Sequence, residues 1–128
     1  MDHIDPSTQI KIEIQTRFLP GQSDPESHRF VFSYEITITN EYSQPVQLLS
    51  RRWVVTDGNE HVQEIEGEGV IGEQPIIQPQ QYYQYTSGTV LATRVGSMFG
   101  HYTMETSDGH RFNAPIPAFT LALPNALH

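Results

Sequence analysis

Three glycines near the middle of the chain have a spacing that often binds phosphate. Gly67, Gly69 and Gly72 form a G-x-G-x-x-G pattern, which in dinucleotide-binding proteins follows a strand and opens a helix that meets the pyrophosphate. Here Gln74 and Pro75 follow almost at once, so we expect no helix to begin. Without a helix dipole or a neighbouring lysine, a phosphate group would find little to bind. The pattern therefore favours structural glycines in a bulged loop over a nucleotide site.

Four glutamates crowd the same segment and suggest a different chemistry. Glu64, Glu66, Glu68 and Glu73 could offer carboxylate oxygens to Mg²⁺ or another hard divalent cation. The segment lacks the D-x-D-x-D-G arrangement that makes calcium loops recognisable. A solvated acidic edge is therefore the preferred interpretation, and ligand or cation binding by residues 64–75 is the alternative.

An Arg-Arg-Trp sequence is the third candidate. If these residues lie on a strand, Arg51 and Trp53 share one face and Arg52 points to the other. Leu49 and Val55 would accompany Trp53. In one interpretation Trp53 lies in the core and Arg51 sits at the edge of a sandwich, paired with a glutamate of the neighbouring strand. In the other, the arginine and tryptophan form a contact patch, because both residue types are favoured at protein–protein hot spots.

We find no constellation that argues for catalysis. Ser107, Asp108 and His110 have the residue types of a triad, but a triad converges from distant segments, and turn chemistry explains polar residues at a hairpin tip. The common hydrolase, zinc-protease and P-loop motifs do not occur. The chain has no cysteine, and the hairpin would hold His101 and His110 too far apart to share a metal. We therefore expect a non-enzymatic protein without a cofactor.

Length, charge and hydrophobicity argue against several classes of partner and location. The 128 residues predict one domain, and the formal net charge of −8 argues against nucleic acids and anionic membranes. No apolar run approaches the ~20 residues of a membrane helix, so we expect no membrane insertion. The polar N-terminal stretch does not resemble a secretory signal. A cytoplasmic location is the expectation.

Hydrophobic alternation with a period of two runs through nearly the whole chain. It is clearest at residues 30–39, where phenylalanine, tyrosine and isoleucine alternate with other residues. Further strands are predicted at residues 10–15, 46–56, 61–66, 81–86, 97–106 and 110–121. Seven strands joined by short turns predict an all-β fold, an antiparallel β-sandwich.

Register can be predicted for the last hairpin. A three-residue loop at 107–109 places Met104 opposite Phe112 and Glu105 opposite Arg111, which keeps the faces consistent and pairs opposite charges. The loop glycine would then be left-handed.

Other turns and ends are less fully determined. For the turn at residues 57–59, loops of three and four residues both remain open. Pro115 and Pro117 predict that their part of the last strand is an edge or a bulge. Pro6 and residues 124–128 are expected to be loose ends, with an ordered core at about residues 8–121 of a single domain.

Four blocks of sequence stand out when they are taken in order. They are LLSRRW at residues 48–53, GEGVIGEQP at 67–75, YTSG at 85–88 and GSMFGHYTM at 96–104. Together they resemble the bacterial ApaG family over about residues 8–121. This resemblance implies a fibronectin type III-like, immunoglobulin-like sandwich. It also implies a role in protein–protein contacts and an indirect association with cobalt resistance and magnesium efflux, and it supplies no catalytic residues.

The leading hypothesis is a protein-interaction module with an unidentified protein partner, in which a homo-oligomer also remains open. The alternative is a small-ligand protein that binds a divalent metal, pyrophosphate or a nucleotide at residues 64–75. In either case the expected binding residues are Arg51, Arg52, Trp53, Gly67, Glu68, Gly69, Gly72 and Glu73.

Overall fold

The protein is a β-sandwich of two antiparallel sheets. The computed structural model describes residues 4–124. Its strands are β1 (Ile10–Phe18), β2 (Phe30–Asn40), β3 (Val46–Asp57), β4 (Val62–Glu68), β5 (Ile76–Ile77), β6 (Tyr82–Leu91), β7 (Val95–Thr106) and β8 (Arg111–Ala122). The first sheet has the order β1–β2–β6. The second has the order β4–β3–β7–β8, and β5 also pairs with β3.

The predicted antiparallel sandwich is confirmed, and all seven predicted strands are present. The additional strand, β5, lies between the strands predicted at residues 61–66 and 81–86, where the sequence predicts no strand. Ile77 of β5 is buried and pairs with Val46, but two residues are too few to display an alternating pattern. Among residues 4–124 the helical segments are short 3-10 turns, and none has the length or apolarity to span a bilayer.

The core lies between the sheets and is built from alternate side chains of each strand. On β2, Ile36 and Ile38 are completely buried, and Thr37 between them is more exposed. From the second sheet, Trp53 is 2% exposed and meets the ring of Tyr102 edge to face. The core interpretation of Trp53 is confirmed. Burial of these side chains is the main source of stability in such a sandwich.

The hairpin between β7 and β8 has the predicted loop at residues 107–109. Met104 lies opposite Phe112, and Glu105 lies opposite Arg111. The Nε atom of Arg111 is 2.9 Å from Oε2 of Glu105, so the predicted charge pair forms. The loop glycine has a φ of +87°, which is the left-handed conformation that glycine adopts without strain.

The loop between β3 and β4 contains three residues, which resolves the choice between three and four. The Asp57 N–H donates to the His61 carbonyl at 3.0 Å, so residues 58–60 form the loop. Glu60, its last residue, has a φ of +62°. The side chain of Asp57 also accepts a hydrogen bond from the His61 N–H at 3.0 Å, which supports the tight turn.

The two prolines of β8 lie where proline is tolerated. β8 is an outermost strand of its sheet, and its register with β7 shifts between Met98 and Gly100. Pro115 and Pro117 therefore lie at an edge and beside a bulge, as the sequence predicts. A proline has no N–H to offer to a ladder, so it fits only at such positions.

The prediction of a loose end at Pro6 is wrong. Pro6 is buried in a 3-10 turn that contacts β8. The Asp5 carboxylate accepts a hydrogen bond from the Ser7 N–H at 3.0 Å and caps this turn. A single proline carries no periodic signal, which is why the sequence did not reveal the contact. The predicted loose tail falls mainly at residues 125–128, outside the described residues.

The two sides of the sandwich differ in how they are covered. On one side β1 lies against β8, so the edges of the two sheets meet. On the other side β6 ends the first sheet and β4 ends the second, and these two strands make no comparable contact. We call the gap between β4 and β6 the open side.

Candidate functional site

A β-bulge in β3 corrects one predicted face. The register between β3 and β7 shifts between Leu48 and Ser50, so one extra residue interrupts the alternation. Leu48 and Trp53 are both buried in the core, although an uninterrupted strand would place them on opposite faces. The prediction that Leu49 shares the face of Trp53 is therefore wrong.

Arg51 faces inward and binds the glycine loop, which comprises residues 67–74. Its Nη1 atom donates to the carbonyl oxygens of Glu68 at 3.1 Å and Gly69 at 2.8 Å. A Cβ atom on Gly67 would lie 2.8 Å from the same Nη1 atom. A side chain at this position would displace the guanidinium group. The first glycine of the motif therefore makes room for an arginine.

The other two glycines fold the loop into a tight turn. Gly69 has a φ of +61° and Gly72 a φ of +80°. A Cβ atom on Gly69 would lie 2.2 Å from the carbonyl oxygen of Glu73, whereas one on Gly72 would meet nothing within 4 Å. Between them Val70 is completely buried, and it ties the loop to the core. Backbone geometry thus accounts for the glycine spacing.

Three backbone N–H groups of the glycine loop are already engaged within the chain. The Gly69 N–H donates to the Leu49 carbonyl at 2.8 Å. Val70 and Glu73 each donate to the other's carbonyl, at 2.8 Å and 2.9 Å. In phosphate-binding loops such groups point at the ligand instead. The segment that follows is β5 and not a helix, so the motif lacks the helix N-terminus that binds the pyrophosphate in dinucleotide-binding proteins.

Arg52 faces outward and forms the arginine–glutamate contacts. Its Nη2 atom lies 2.8 Å from Oε1 of Glu64, and its Nη1 atom contacts Oε1 of Glu66. One of the two interpretations of the sequence paired Arg51 with a glutamate of the neighbouring strand, and the structure gives these contacts to Arg52 instead. Glu64 and Glu66 lie on the outer face of β4 beside Arg52, whereas Arg51 points between the sheets and reaches backbone carbonyls.

The four glutamates do not converge on one point. Two of them bind Arg52, and Glu68 is exposed at the end of β4. Glu73 lies near Tyr83, where burial first and the glutamate charge second raise the pKa of the phenol. Within residues 4–124 no group of three histidine, cysteine, aspartate or glutamate side chains is placed to hold a metal ion. The arrangement fits a solvated acidic edge.

Two buried tyrosine hydroxyls meet between the sheets, a feature that the sequence analysis missed. The hydroxyl oxygens of Tyr85 on β6 and Tyr102 on β7 are 2.5 Å apart. Burial raises the pKa of both phenols, and the positive charge of Arg51 offsets a part of this rise. Each hydroxyl supplies the hydrogen-bond partner that the other needs in the core. No spacing rule could pair these residues, because their strands belong to different sheets.

The open side contains a depression of about 370 Å³, which the sequence analysis also missed. Val55, Val62, Val90 and Leu91 form its apolar wall, and Asp57 also lines it. Val62 is 57% exposed and Val90 is 44% exposed, so the depression offers apolar surface to a second molecule. Its walls come from strands of both sheets, and only their assembly brings these residues together.

Comparisons with known proteins agree with this fold. The family model described as the ApaG domain matches residues 20–106. The chain belongs to the ApaG family. Protein ApaG of Azotobacter vinelandii is 55% identical over 124 residues, which cover 97% of this chain and 98% of the relative. Protein ApaG of Aromatoleum aromaticum is 56% identical over 120 residues, which cover 94% of this chain and 94% of the relative. The resemblance noted in the four sequence blocks is confirmed.

Solved structures of similar proteins share the architecture of this ApaG-family chain. A crystal structure described as an ApaA protein from Bordetella pertussis has a TM-score of 0.89 and 43% identity, with 91% of this chain and 95% of that chain covered. A second X-ray structure, from structural genomics, has a TM-score of 0.92 and 45% identity, with coverages of 97% and 94%. The fibronectin type III-like sandwich is confirmed.

Proposed function

We propose that this ApaG-family chain is a non-enzymatic module that binds another protein in the cytoplasm through its open side. One observation carries the proposal. Ile71, Ile76 and Tyr82 are 58%, 61% and 66% exposed, and all three lie in the stretch from the glycine loop to the start of β6. Val62 and Val90, which line the depression on the open side, are exposed as well, and large exposed apolar side chains are candidates for contacts with a partner.

The glycine loop is well suited to present such a surface. Arg51 binds two of its carbonyl oxygens, and buried Val70 holds it against the core. A loop that is already ordered loses little conformational entropy when a partner binds. The exposed tip at Ile71 therefore combines an apolar side chain with a rigid support.

Charge indicates the nature of the partner. The chain carries a formal net charge of −8, and the outer face beside the loop presents Glu64, Glu66 and Glu68. A basic protein surface would be attracted to it, whereas nucleic acids would be repelled. We place any link to divalent cations in the partner, because Glu64 and Glu66 contact Arg52 instead of converging on a cation site.

Affinity capture with matched surface variants tests this proposal. Tagged wild-type chain, Ile71→Lys and Phe99→Lys are expressed at equal levels, and bound proteins are identified by mass spectrometry. Phe99 is the control because it is 47% exposed but lies on β7, away from the open side. We expect a partner that wild-type chain and Phe99→Lys retain and Ile71→Lys loses. Recovery of no reproducible partner would contradict the function, and equal recovery by all three would contradict its location.

A further inference from the structure

β6 pairs on one side only, and its backbone pattern shows which groups are free. The Asn40 N–H donates to the Gln81 carbonyl at 3.0 Å. Hydrogen-bonded pairs alternate along an antiparallel ladder, so odd-numbered residues of β6 bond to β2. The N–H and C=O groups of Gln84, Thr86 and Gly88 consequently point away from β2. Among the described residues β6 has no other strand partner.

The other sheet edges carry features that hinder strand addition. β8 contains Pro115 and Pro117, and β4 carries glutamates that alternate along its length. β1 has charged residues and lies against β8. Proline, charge and coverage are the usual protections of an exposed edge. The sequence of β6, YYQYTSGTVL, contains neither a proline nor a charged residue.

A strand added to β6 would also meet a suitable depression. Alternate side chains of such a strand would point toward the gap between the sheets. The depression of about 370 Å³ lies there, with Val55, Val62, Val90 and Leu91 in its wall. An aliphatic side chain of the added strand could enter this depression and so be buried away from water. Main-chain pairing together with such a pocket is the usual basis of peptide recognition by strand addition.

The charge of the molecule favours one occupant. Asp57 lines the depression, Glu73 lies near Tyr83 farther along the same side, and the net charge is −8. A second copy of the chain would bring the same negative charge. A basic segment would instead be attracted to this side.

We propose that the free edge of β6 binds an extended segment of a partner protein in which aliphatic residues alternate with lysine or arginine. This inference rests on the proposed function and specifies its partner chemistry. The segment extends the first sheet by one strand, places aliphatic side chains between the sheets and exposes its basic side chains to solvent, where the net charge of −8 attracts them.

A synthetic peptide is the direct probe. The peptide alternates valine and lysine, has the ten residues of β6, and is blocked at both ends. Its control carries N-methyl groups on the amides that would face β6, so its charge and side chains are the same. Binding is followed by nuclear magnetic resonance and amide hydrogen exchange. We expect saturable binding with slowed exchange at Gln84, Thr86 and Gly88, and no binding of the methylated control.

Two proline variants test the same edge from the protein side. Thr86→Pro removes an N–H that does not bond to β2, and it copies the protection found on β8. Asn113→Pro is its control, because Asn113 lies on the opposite, closed side and pairs with Thr103. We expect Thr86→Pro to weaken peptide binding by at least about tenfold, which corresponds to about 1.4 kcal/mol. Asn113→Pro should leave binding unchanged.

Each other outcome contradicts the inference in a recognisable way. Equal binding of the methylated peptide, or of Thr86→Pro, would show that charge alone attracts the peptide. If Thr86→Pro fails to fold, the methylated peptide still tests pairing on the unaltered chain. A concentration-dependent dimer that Thr86→Pro abolishes would assign the edge to a second copy. A captured partner that requires Ile71 but tolerates Thr86→Pro would overturn the inference and leave the proposed function standing.

Discussion

Two neighbouring arginines of β3 lie in opposite environments. Arg51 points between the sheets and binds the backbone of the glycine loop. Arg52 points outward and binds Glu64 and Glu66, whose side chains are well exposed to solvent. Both arginines bind oxygen atoms, yet Arg51 orders a loop and Arg52 forms ion pairs on the surface. The difference shows that the face of the strand, more than the residue type, sets the role.

This comparison also explains the glycine motif. The spacing of Gly67, Gly69 and Gly72 suggests a phosphate site, but the carbonyl oxygens of this loop bind an arginine of the same chain. Gly67 makes room for its guanidinium group, and Gly69 allows the close turn that presents the carbonyl oxygens. The structure therefore explains the pattern by what the loop binds within its own chain.

We expect the largest loss of stability from a substitution at Gly69, which disrupts the glycine loop that Arg51 binds. A Cβ atom there would clash with the Glu73 carbonyl, and alanine would also have to adopt a positive φ. We expect Gly69→Ala to lower the free energy of unfolding by about 2–5 kcal/mol. Urea denaturation measures this loss.

Gly72→Ala is the matched control, because it has the same backbone constraint without the clash. Its expected cost is about 1–2 kcal/mol. Equal losses for the two variants would show that the close approach of Glu73 does not restrict position 69.

The next prediction removes the inner arginine. Arg51→Met keeps much of the side-chain length but leaves the carbonyl oxygens of Glu68 and Gly69 without their donor. We expect a loss of about 1–3 kcal/mol in the free energy of unfolding, measured in urea. Faster hydrogen exchange in residues 67–74 should accompany it. Unchanged exchange in that segment would mean that Arg51 does not hold the loop.

The tyrosine pair beside Arg51 sharpens the comparison, because it depends on the same buried region. Tyr85→Phe leaves the Tyr102 hydroxyl buried without a partner, and we expect a cost of about 1–2 kcal/mol. The double variant with Tyr102→Phe removes both hydroxyls and should cost less than the sum of the single changes. Strictly additive costs in a double-mutant cycle would contradict the hydrogen bond.

The same pair predicts a dependence on pH. Burial raises the pKa of both phenols in the folded state above the ordinary value of 10.0. Above that pH the unfolded chain releases phenolic protons that the folded chain keeps, so the free energy of unfolding falls as the pH rises. Below that pH both states keep their phenolic protons, so the full contribution of these groups to the free energy of unfolding is present. In the double phenylalanine variant this alkaline decrease should be smaller, and an identical decrease would place its origin elsewhere.

The smallest effect belongs to the outer arginine. Arg52→Gln removes contacts with two exposed glutamates, and exposed ion pairs contribute little after solvent screening. We expect a loss of about 0.2–1 kcal/mol, which declines further as salt is added. Urea denaturation at low and high salt measures it. A loss equal to that of Arg51→Met would remove the distinction between the two faces.

The reach of the sequence can be judged strand by strand. Period-two alternation identified β2 correctly, and charge pairing identified the register of the β7–β8 hairpin through Glu105 and Arg111. Alternation assigned Leu49 to the wrong face, because the bulge adds one residue to the strand and no residue type in the sequence indicates it. Alternation also missed β5, because two residues cannot show a period. It did not reveal the burial of Pro6, because a single proline carries no periodic signal.

The sequence by itself determined the all-β class, the family, the loop at residues 107–109 and the absence of a helix after Gly72. The family was recognised from the resemblance of four blocks of sequence. The other features depend on neighbours along the chain, where alternation and turn residues report local geometry directly. Only the tertiary structure decided the partners of Arg51, the Tyr85–Tyr102 hydroxyl pair and the depression on the open side. These features join strands that are distant in sequence or lie in different sheets. Side-chain periodicity tells which face a residue occupies, but the stacking of the sheets decides what that face meets.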